Sequence, residues 1–250
     1  MKLAKLNNAP EIFHSIQGEG KSIGKPSVFI RFSLCNLYCI WCDTDYTWNW
    51  ENTNYPHNNN ANSAYKKFQK KDWITTISVE KIFKEATKFN CENIIVTGGE
   101  PMVQHKELVG LLNLFKNAEK FYNIEIETNG TLQPNTILDP LIDQYNVSVK
   151  LSNSKVKAQD RINHSALSFF SKSKKSNFKF VVDTPKDLEE ILELQQNYEI
   201  KANKIYLMPQ GTNAQSLLDK QQWLVEICKQ YQFNYTDRLH IHIYGSKKGV

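Results

Sequence analysis

Cys35-Asn36-Leu37-Tyr38-Cys39-Ile40-Trp41-Cys42 spaces three thiols as C-x₃-C-x₂-C. Thiolates at these two gaps can fold around one small metal centre, and no fourth cysteine lies nearby to close the site. A three-thiolate iron–sulfur cluster follows, with one iron left open for a reacting molecule, because such clusters are held by cysteine thiolates. Two blander readings compete, a zinc knob and unrelated buried thiols. Zinc wants a fourth ligand, and His14, His57 and His105 are the only candidates not far downstream. None of them has finger-like spacing.

Outward from this run, strand-like and helix-like segments alternate, the pattern of parallel βα units. Residues 26–33 (PSVFIRFS) are rich in β-branched and aromatic side chains and lead straight into Cys35. Further strands are expected at 93–97, 124–128, 147–151, 178–182, 205–208 and 239–244, with helices at 79–89 and 105–115. About six parallel strands, plus a short N-terminal strand near Ile12, are too few for a closed eight-fold ring. The expected fold class is therefore α/β, an incomplete TIM-like barrel with helices outside and site residues on the loops after the strands. One domain spans residues 1–250. The stretch 46–73 breaks the rhythm, being aromatic, asparagine-rich and aperiodic, and reads as an insertion in the cluster loop, either a lid, a docking surface or a mobile surface loop.

With 250 residues, 40% hydrophobic and 23% charged, the chain has the make-up of one ordinary globular domain. No apolar run approaches the roughly 20 residues that span a bilayer, and the first residues are too short and polar for a signal peptide. Three of the five cysteines belong to the cluster motif; Cys91 and Cys228 sit in apolar surroundings and read as core thiols. A reducing cytoplasm suits this usage. The net charge of +5 comes almost wholly from lysine, with Arg31, Arg161 and Arg238 the only arginines. Nucleic-acid readers lean on clustered arginine, so no direct nucleic-acid partner is expected.

Several strand-end motifs carry chemistry. Thr97-Gly98-Gly99-Glu100-Pro101 lets a ligand approach the backbone and offers acceptors to an ammonium group; a mere turn is the alternative. Glu127-Thr128-Asn129-Gly130 ends the next strand, and Ser148-Val149-Lys150 adds a hydroxyl and a cation. Near the N-terminus, Glu11-Ile12-Phe13-His14-Ser15-Ile16-Gln17-Gly18-Glu19-Gly20 is a strand followed by a glycine-flanked acidic turn, suited to the amide and amino edges of a nitrogen-rich heterocycle. Arg31 can fork onto a carboxylate or form a structural salt bridge. His240 and His242 alternate on the last expected strand, ahead of a short basic tail ending at Val250.

The cysteine run and the Gly-Gly-Glu-Pro loop resemble those of radical S-adenosylmethionine enzymes. The Ser15-Ile16-Gln17-Gly18-Glu19-Gly20 turn, Cys42-Asp43-Thr44, Leu151-Ser152-Asn153-Ser154 and Leu207-Met208-Pro209-Gln210-Gly211 narrow this to a resemblance to the 7-carboxy-7-deazaguanine synthase family. That resemblance implies a lyase of the queuosine and 7-deazapurine pathway. It would contract 6-carboxy-5,6,7,8-tetrahydropterin to 7-carboxy-7-deazaguanine with release of ammonia. It implies a [4Fe–4S] cluster on Cys35, Cys39 and Cys42, S-adenosylmethionine on its open iron, and Mg²⁺ at Thr44. Substrate contacts would come from Ile16, Gln17, Gly18, Glu19, Arg31, Thr97 and, where the chain end folds back, Val250. Cofactor contacts would come from Gly99, Glu100, Glu127, Asn129, Ser148, Val149, Lys150, Gln210, Gly211, Thr212 and Asn213. Valine stands at position 149 where the family usually has proline. A homodimer reduced by a flavodoxin or ferredoxin is the family expectation. The alternatives are a glycyl-radical enzyme activase and a non-catalytic iron–sulfur or zinc module.

Overall fold

The computed structural model describes residues 1–250. Its strands are β1 (Lys2–Leu6), β2 (Ala9–Pro10), β3 (Ile12–Ile16), β4 (Pro26–Phe32), β5 (Ile74–Thr76), β6 (Asn93–Gly98), β7 (Asn123–Thr128), β8 (Gln144–Val147), β9 (Ser176–Val182), β10 (Ile205–Pro209) and β11 (Asn234–Tyr235). From β4 through β6, β7, β8, β9 and β10 to β11, every neighbouring pair is parallel. Strands β3 and β1 pair antiparallel to β4, and β5 and β2 pair with β1. The sheet does not close, since β11 ends it on one side and the N-terminal strands on the other. It is the open, mostly parallel barrel expected from the sequence.

Helices α1 (Lys70–Trp73), α2 (Val79–Ala86), α3 (His105–Lys116), α4 (Ala158–Arg161), α5 (His164–Lys172), α6 (Asp187–Asn197), α7 (Ala214–Tyr231) and α8 (Leu239–Tyr244) follow in chain order. Ser78 caps α2 by accepting from the Lys81 N–H, as its place before the periodic stretch requires. Leu108, Leu111, Leu112 and Phe115 form the buried stripe of α3. They belong to one continuous core with Ile94, Val96, Ile124 and Ile126 of the sheet.

The strand period of two splits each strand between this core and the barrel interior. In β7, Ile124 and Ile126 are core residues, while Glu125 and Glu127 take the alternate positions. Asn146 of β8 donates to both, at 3.2 Å and 3.0 Å. Glu125 also accepts from Ser22 and Gln144, so its lower level of the interior is filled by a satisfied polar network. Lys179 of β9 occupies the level of Glu127. The upper level opens at the carboxyl ends of the strands.

Two expected strands differ. The stretch 147–151 is only the end of β8 and the loop beyond it. The strand begins earlier because Gln144 and Asn146 face a polar interior, which hides the apolar alternation. The stretch Leu239–Tyr244 is helix α8, not a strand. Six residues of alternating apolar and histidine character fit either period, and the two-residue β11 has already taken the sheet edge beside β10. As a helix the segment buries Ile241 and leaves Ile243 and Tyr244 exposed.

Candidate functional site

At the carboxyl ends of the strands lies a cavity of about 250 Å³. Strand β4 runs out at Phe32, and Leu34 turns the chain through a left-handed conformation into Cys35. Cys35, Cys39 and Cys42 all line this cavity, and none is in a disulfide. Burial pushes all three thiols up, Cys39 to about 12. No three His, Cys, Asp or Glu residues converge on a point that a lone ion could occupy.

The donor set fits a cluster on two further observations. The Leu37 N–H approaches the Cys35 sulfur at 3.4 Å, and the Trp48 indole N–H approaches the Cys42 sulfur at 3.3 Å. Hydrogen bonds to sulfur are a protein's means of tuning such a centre. The loop also packs tightly on Gly98 and Gly99, where β6 ends. A Cβ on Gly99 would stand 2.1 Å from the Leu34 carbonyl oxygen and 3.0 Å from Cys35 Cβ.

The 46–73 stretch is not a free surface loop. Tyr46, Trp48, Asn49 and His57 are buried, and His57 Nε2 lies 2.8 Å from the Cys42 carbonyl oxygen. Trp48 and His57 reach the third cysteine, and Tyr46, Tyr65, Phe68 and Trp73 pack against one another beside it in the segment.

The cysteines share the cavity lining with an ion network. Lys179 donates to Glu19 at 2.6 Å and to Glu127 at 3.0 Å, and Gln17 donates to the other Glu127 oxygen at 3.0 Å. Arg238 donates to Glu19 at 3.0 Å, to the Gly211 carbonyl and to Asp43. Burial pushes the Glu19 carboxyl up, but Lys179, Arg238 and His240 outweigh it and hold its pKa well below the usual range. Glu127 remains above that range because burial dominates there. His240 lies 3.9 Å from Glu19, and burial lowers its pKa.

Arg31 makes the structural salt bridge that the sequence left open. Its Nε donates to buried Glu11 at 2.9 Å, while the residue still lines the cavity and its terminal nitrogens have no partner in the chain.

Most residues singled out from sequence meet here. Thr44, Ile16, Gln17, Gly18, Glu19, Arg31, Thr97, Val250, Gly99, Glu127, Asn129, Ser148, Lys150, Gln210 and Gly211 line the one cavity with the cysteines. Glu100 does not. It is fully buried, accepting from the Met102 and Asn129 N–H groups and the Thr128 hydroxyl, and so braces the two loops that face the cavity. Val149 is a core residue, and Thr212 and Asn213 lie outside the lining, with Asn213 capping α7. His242 pairs with Asp237 at 3.2 Å outside the cavity, because a helix turns it away from His240.

Sequence reasoning assigned no role to Asp43, Lys179, Arg238, Trp48 or Met208, all of which line the cavity. Lys179 had a readable signal, being a lone cation inside the otherwise uncharged strand SNFKFVV. Arg238 had none, because its place depends on how the chain after α7 returns across the barrel mouth.

A family model described as the radical SAM superfamily matches residues 29–209. The 7-carboxy-7-deazaguanine synthase of Pyrobaculum aerophilum is 32% identical over 96% of this chain and 95% of its own length. The synthase of Rhodopirellula baltica is 31% identical over 96% of this chain and 87% of its own. In fold, the chain is similar to the crystal structure of QueE from Escherichia coli, with a TM-score of 0.66 and 24% identity over 96% of this chain and 95% of that one.

Proposed function

The chain belongs to the radical SAM superfamily and, within it, to the 7-carboxy-7-deazaguanine synthases, and we propose that it converts 6-carboxy-5,6,7,8-tetrahydropterin to 7-carboxy-7-deazaguanine with release of ammonia, in a Mg²⁺-dependent reaction. An enzyme of this superfamily implies an iron–sulfur cluster and S-adenosylmethionine, which leaves little room for a non-catalytic module. A glycyl-radical activase fits less well, because the relatives that match along nearly the whole chain are synthases.

Cys35, Cys39 and Cys42 would hold a [4Fe–4S] cluster. When bound, the cluster and S-adenosylmethionine would supply one-electron radical chemistry. The protein's share is orientation and exclusion of water. Gly99, Glu127, Asn129, Ser148, Lys150, Gln210 and Gly211 would bind the cofactor, the strand-end loops giving each contact its own support. Gln17 and Glu19 would read the amide and amino edges of the pterin, and the free face of Arg31 its carboxylate. Thr44, with its hydroxyl 3.6 Å from the Cys42 sulfur, would give Mg²⁺ one protein oxygen, leaving other positions for water and substrate.

The observation that supports this reading most is that the three thiols share one cavity with Gln17, Arg31 and Thr97. The mild positive charge and lysine-rich surface suit an acidic electron donor such as a flavodoxin or ferredoxin. Five unpaired thiols suit a reducing compartment such as the cytoplasm; no helix is long and apolar enough to cross a membrane. A homodimer is proposed on family grounds alone.

The test is anaerobic turnover of the reconstituted protein with the pterin, with and without Mg²⁺, followed by mass spectrometry. A deazaguanine product whose yield rises with Mg²⁺ is expected, and Thr44→Ala is expected to weaken that rise without loss of iron. Cofactor cleavage with no change in the pterin would remove the substrate assignment.

A further inference from the structure

The chain end returns to the cavity in a way the cavity's chemistry does not by itself explain. From the last turn of α8, residues 242–247 are exposed, but Lys248, Gly249 and Val250 are partly covered again. The Lys248 ammonium stands 4.0 Å from the Tyr46 ring centre, 5.1 Å from that of Trp73 and 5.6 Å from that of Phe68. These rings brace one another. Phe68 lies 4.9 Å from Trp73, and Tyr46 lies 5.3 Å from Trp73, all at steep angles. They form a three-walled cage whose only cation is Lys248, and the ammonium makes no ion pair within the chain.

Two more observations tie this cage to the cavity. Gly249 has φ +71°, and a Cβ there would stand 2.9 Å from the Leu6 side chain, so the turn after the cage is one that glycine alone adopts freely. One residue later, Val250 lines the cavity with Arg31. The cage also has a direct link to that arginine. The Tyr46 hydroxyl donates to Glu11 at 2.9 Å, and Glu11 accepts from Arg31 Nε at 2.9 Å.

We propose that Lys248 is a positioning residue, that the 46–73 segment supplies its receptor, and that docking Lys248 in the cage of Tyr46, Phe68 and Trp73 seats the chain end against the bound substrate. The acidic groups facing Lys248 are Asp45, Glu11 and Asp43, and Arg31 is the facing cation. The carboxylates favour a cation in the cage, burial and Arg31 oppose it and push the ammonium's pKa down, and with no ion pair the ring faces are its contacts. Such contacts strengthen as the cation is withdrawn from water. An arginine would keep most of this attraction, and an alanine none of it. The link to substrate rests on the reading in the preceding subsection; the docking itself does not.

Two readouts test the two parts separately. Carboxypeptidase release of Val250, followed by mass spectrometry and normalised to free ten-residue tail peptides of each sequence, reports docking without any substrate. Release is expected to be about tenfold faster in Lys248→Ala than in the native chain, and near native in Lys248→Arg. Anaerobic kinetics with the pterin are expected to show KM raised about tenfold in Lys248→Ala, with kcat within about twofold, and restored by arginine. Equal release rates in native and Lys248→Ala proteins would overturn the docking, whatever the substrate. Faster release with unchanged KM would overturn the positioning role. A native protein that ignores the pterin would sink the preceding reading and the substrate half of this one, while the protease rates would still decide whether Lys248 docks.

Discussion

Trp48 donates its indole N–H to the sulfur of Cys42 at 3.3 Å, so the inserted segment reaches the metal-binding loop at a sulfur atom. A donor to a ligating sulfur favours the more negative, reduced cluster. Trp48→Phe is expected to lower the reduction potential by about 40 mV, taking ~1 kcal/mol for the hydrogen bond and 59 mV per tenfold for one electron. Iron content should be unchanged. A potentiometric titration followed by electron paramagnetic resonance measures this, and an unaltered potential would assign Trp48 to packing alone.

Glu11 is buried, and its carboxylate is shared by Arg31 and Tyr46. Its replacement by alanine leaves a largely buried guanidinium without its partner, a change that costs about 3–5 kcal/mol. Glu11→Ala should therefore melt about 6–20 °C lower, at about 2–4 °C per kcal/mol for a chain of this size. Glu11→Gln, which keeps an acceptor for Arg31 Nε, should recover part of the loss. Thermal unfolding followed by circular dichroism distinguishes them, and equal melting temperatures for both variants would mean the hydrogen-bond acceptor is immaterial.

Lys179 is flanked by two largely buried carboxylates. Burial alone would lower its pKa, but Glu127 and Glu19 outweigh burial and raise it. In Lys179→Met the pair Glu19 and Glu127 loses its shared cation: Glu127, already raised by burial, rises further, while Glu19 rises from its depressed value with Arg238 still beside it. For Glu127, stability is then kept at low pH, where the carboxyl is protonated, and lost as pH rises from about 4.3 through the raised value. The deficit against the native protein should grow from pH 5 to pH 8, reaching about 3–5 kcal/mol at pH 8. Urea unfolding at both pH values checks this; equal deficits would mean that Lys179 acts through packing.

Gly99 has no room for a side chain, since a Cβ would sit 2.1 Å from the Leu34 carbonyl oxygen. Backbone must move to admit even alanine, and the piece that moves carries Cys35. Gly99→Ala is expected to reconstitute with less than about half the native iron, because overpacking of this kind costs about 1–3 kcal/mol or more and falls on the ligand loop. Iron and labile sulfide analysis is the measurement. Full iron content would show that the loop has slack the distances do not suggest.

Much of this was legible in the chain itself. The C-x₃-C-x₂-C spacing, the strand ending at Gly98-Gly99 and the alternation of strand-like and helix-like stretches are local signals, and the cysteines, Gly99 and Glu127 met in one cavity as a parallel barrel requires. Glu100 shows the limit of such reading. It stands in the right loop, yet its carboxylate turns inward to the Met102 N–H of that loop and to the Thr128 hydroxyl and Asn129 N–H of the next. The C-terminal histidines show another limit. Six residues fit a strand or a helix equally well, and the choice fell to whichever element took the sheet edge first.

By its sequence alone the chain determined the βα order and the type of metal chemistry its loops can hold, because spacing and period act over a few neighbouring residues. Only the tertiary structure decided that Arg238 would cross the barrel mouth to Glu19 and Asp43, and that Lys248 would lie among Tyr46, Phe68 and Trp73. These contacts join residues about 200 positions apart, and they follow from where the folded core leaves charge and aromatic surface exposed to the returning chain.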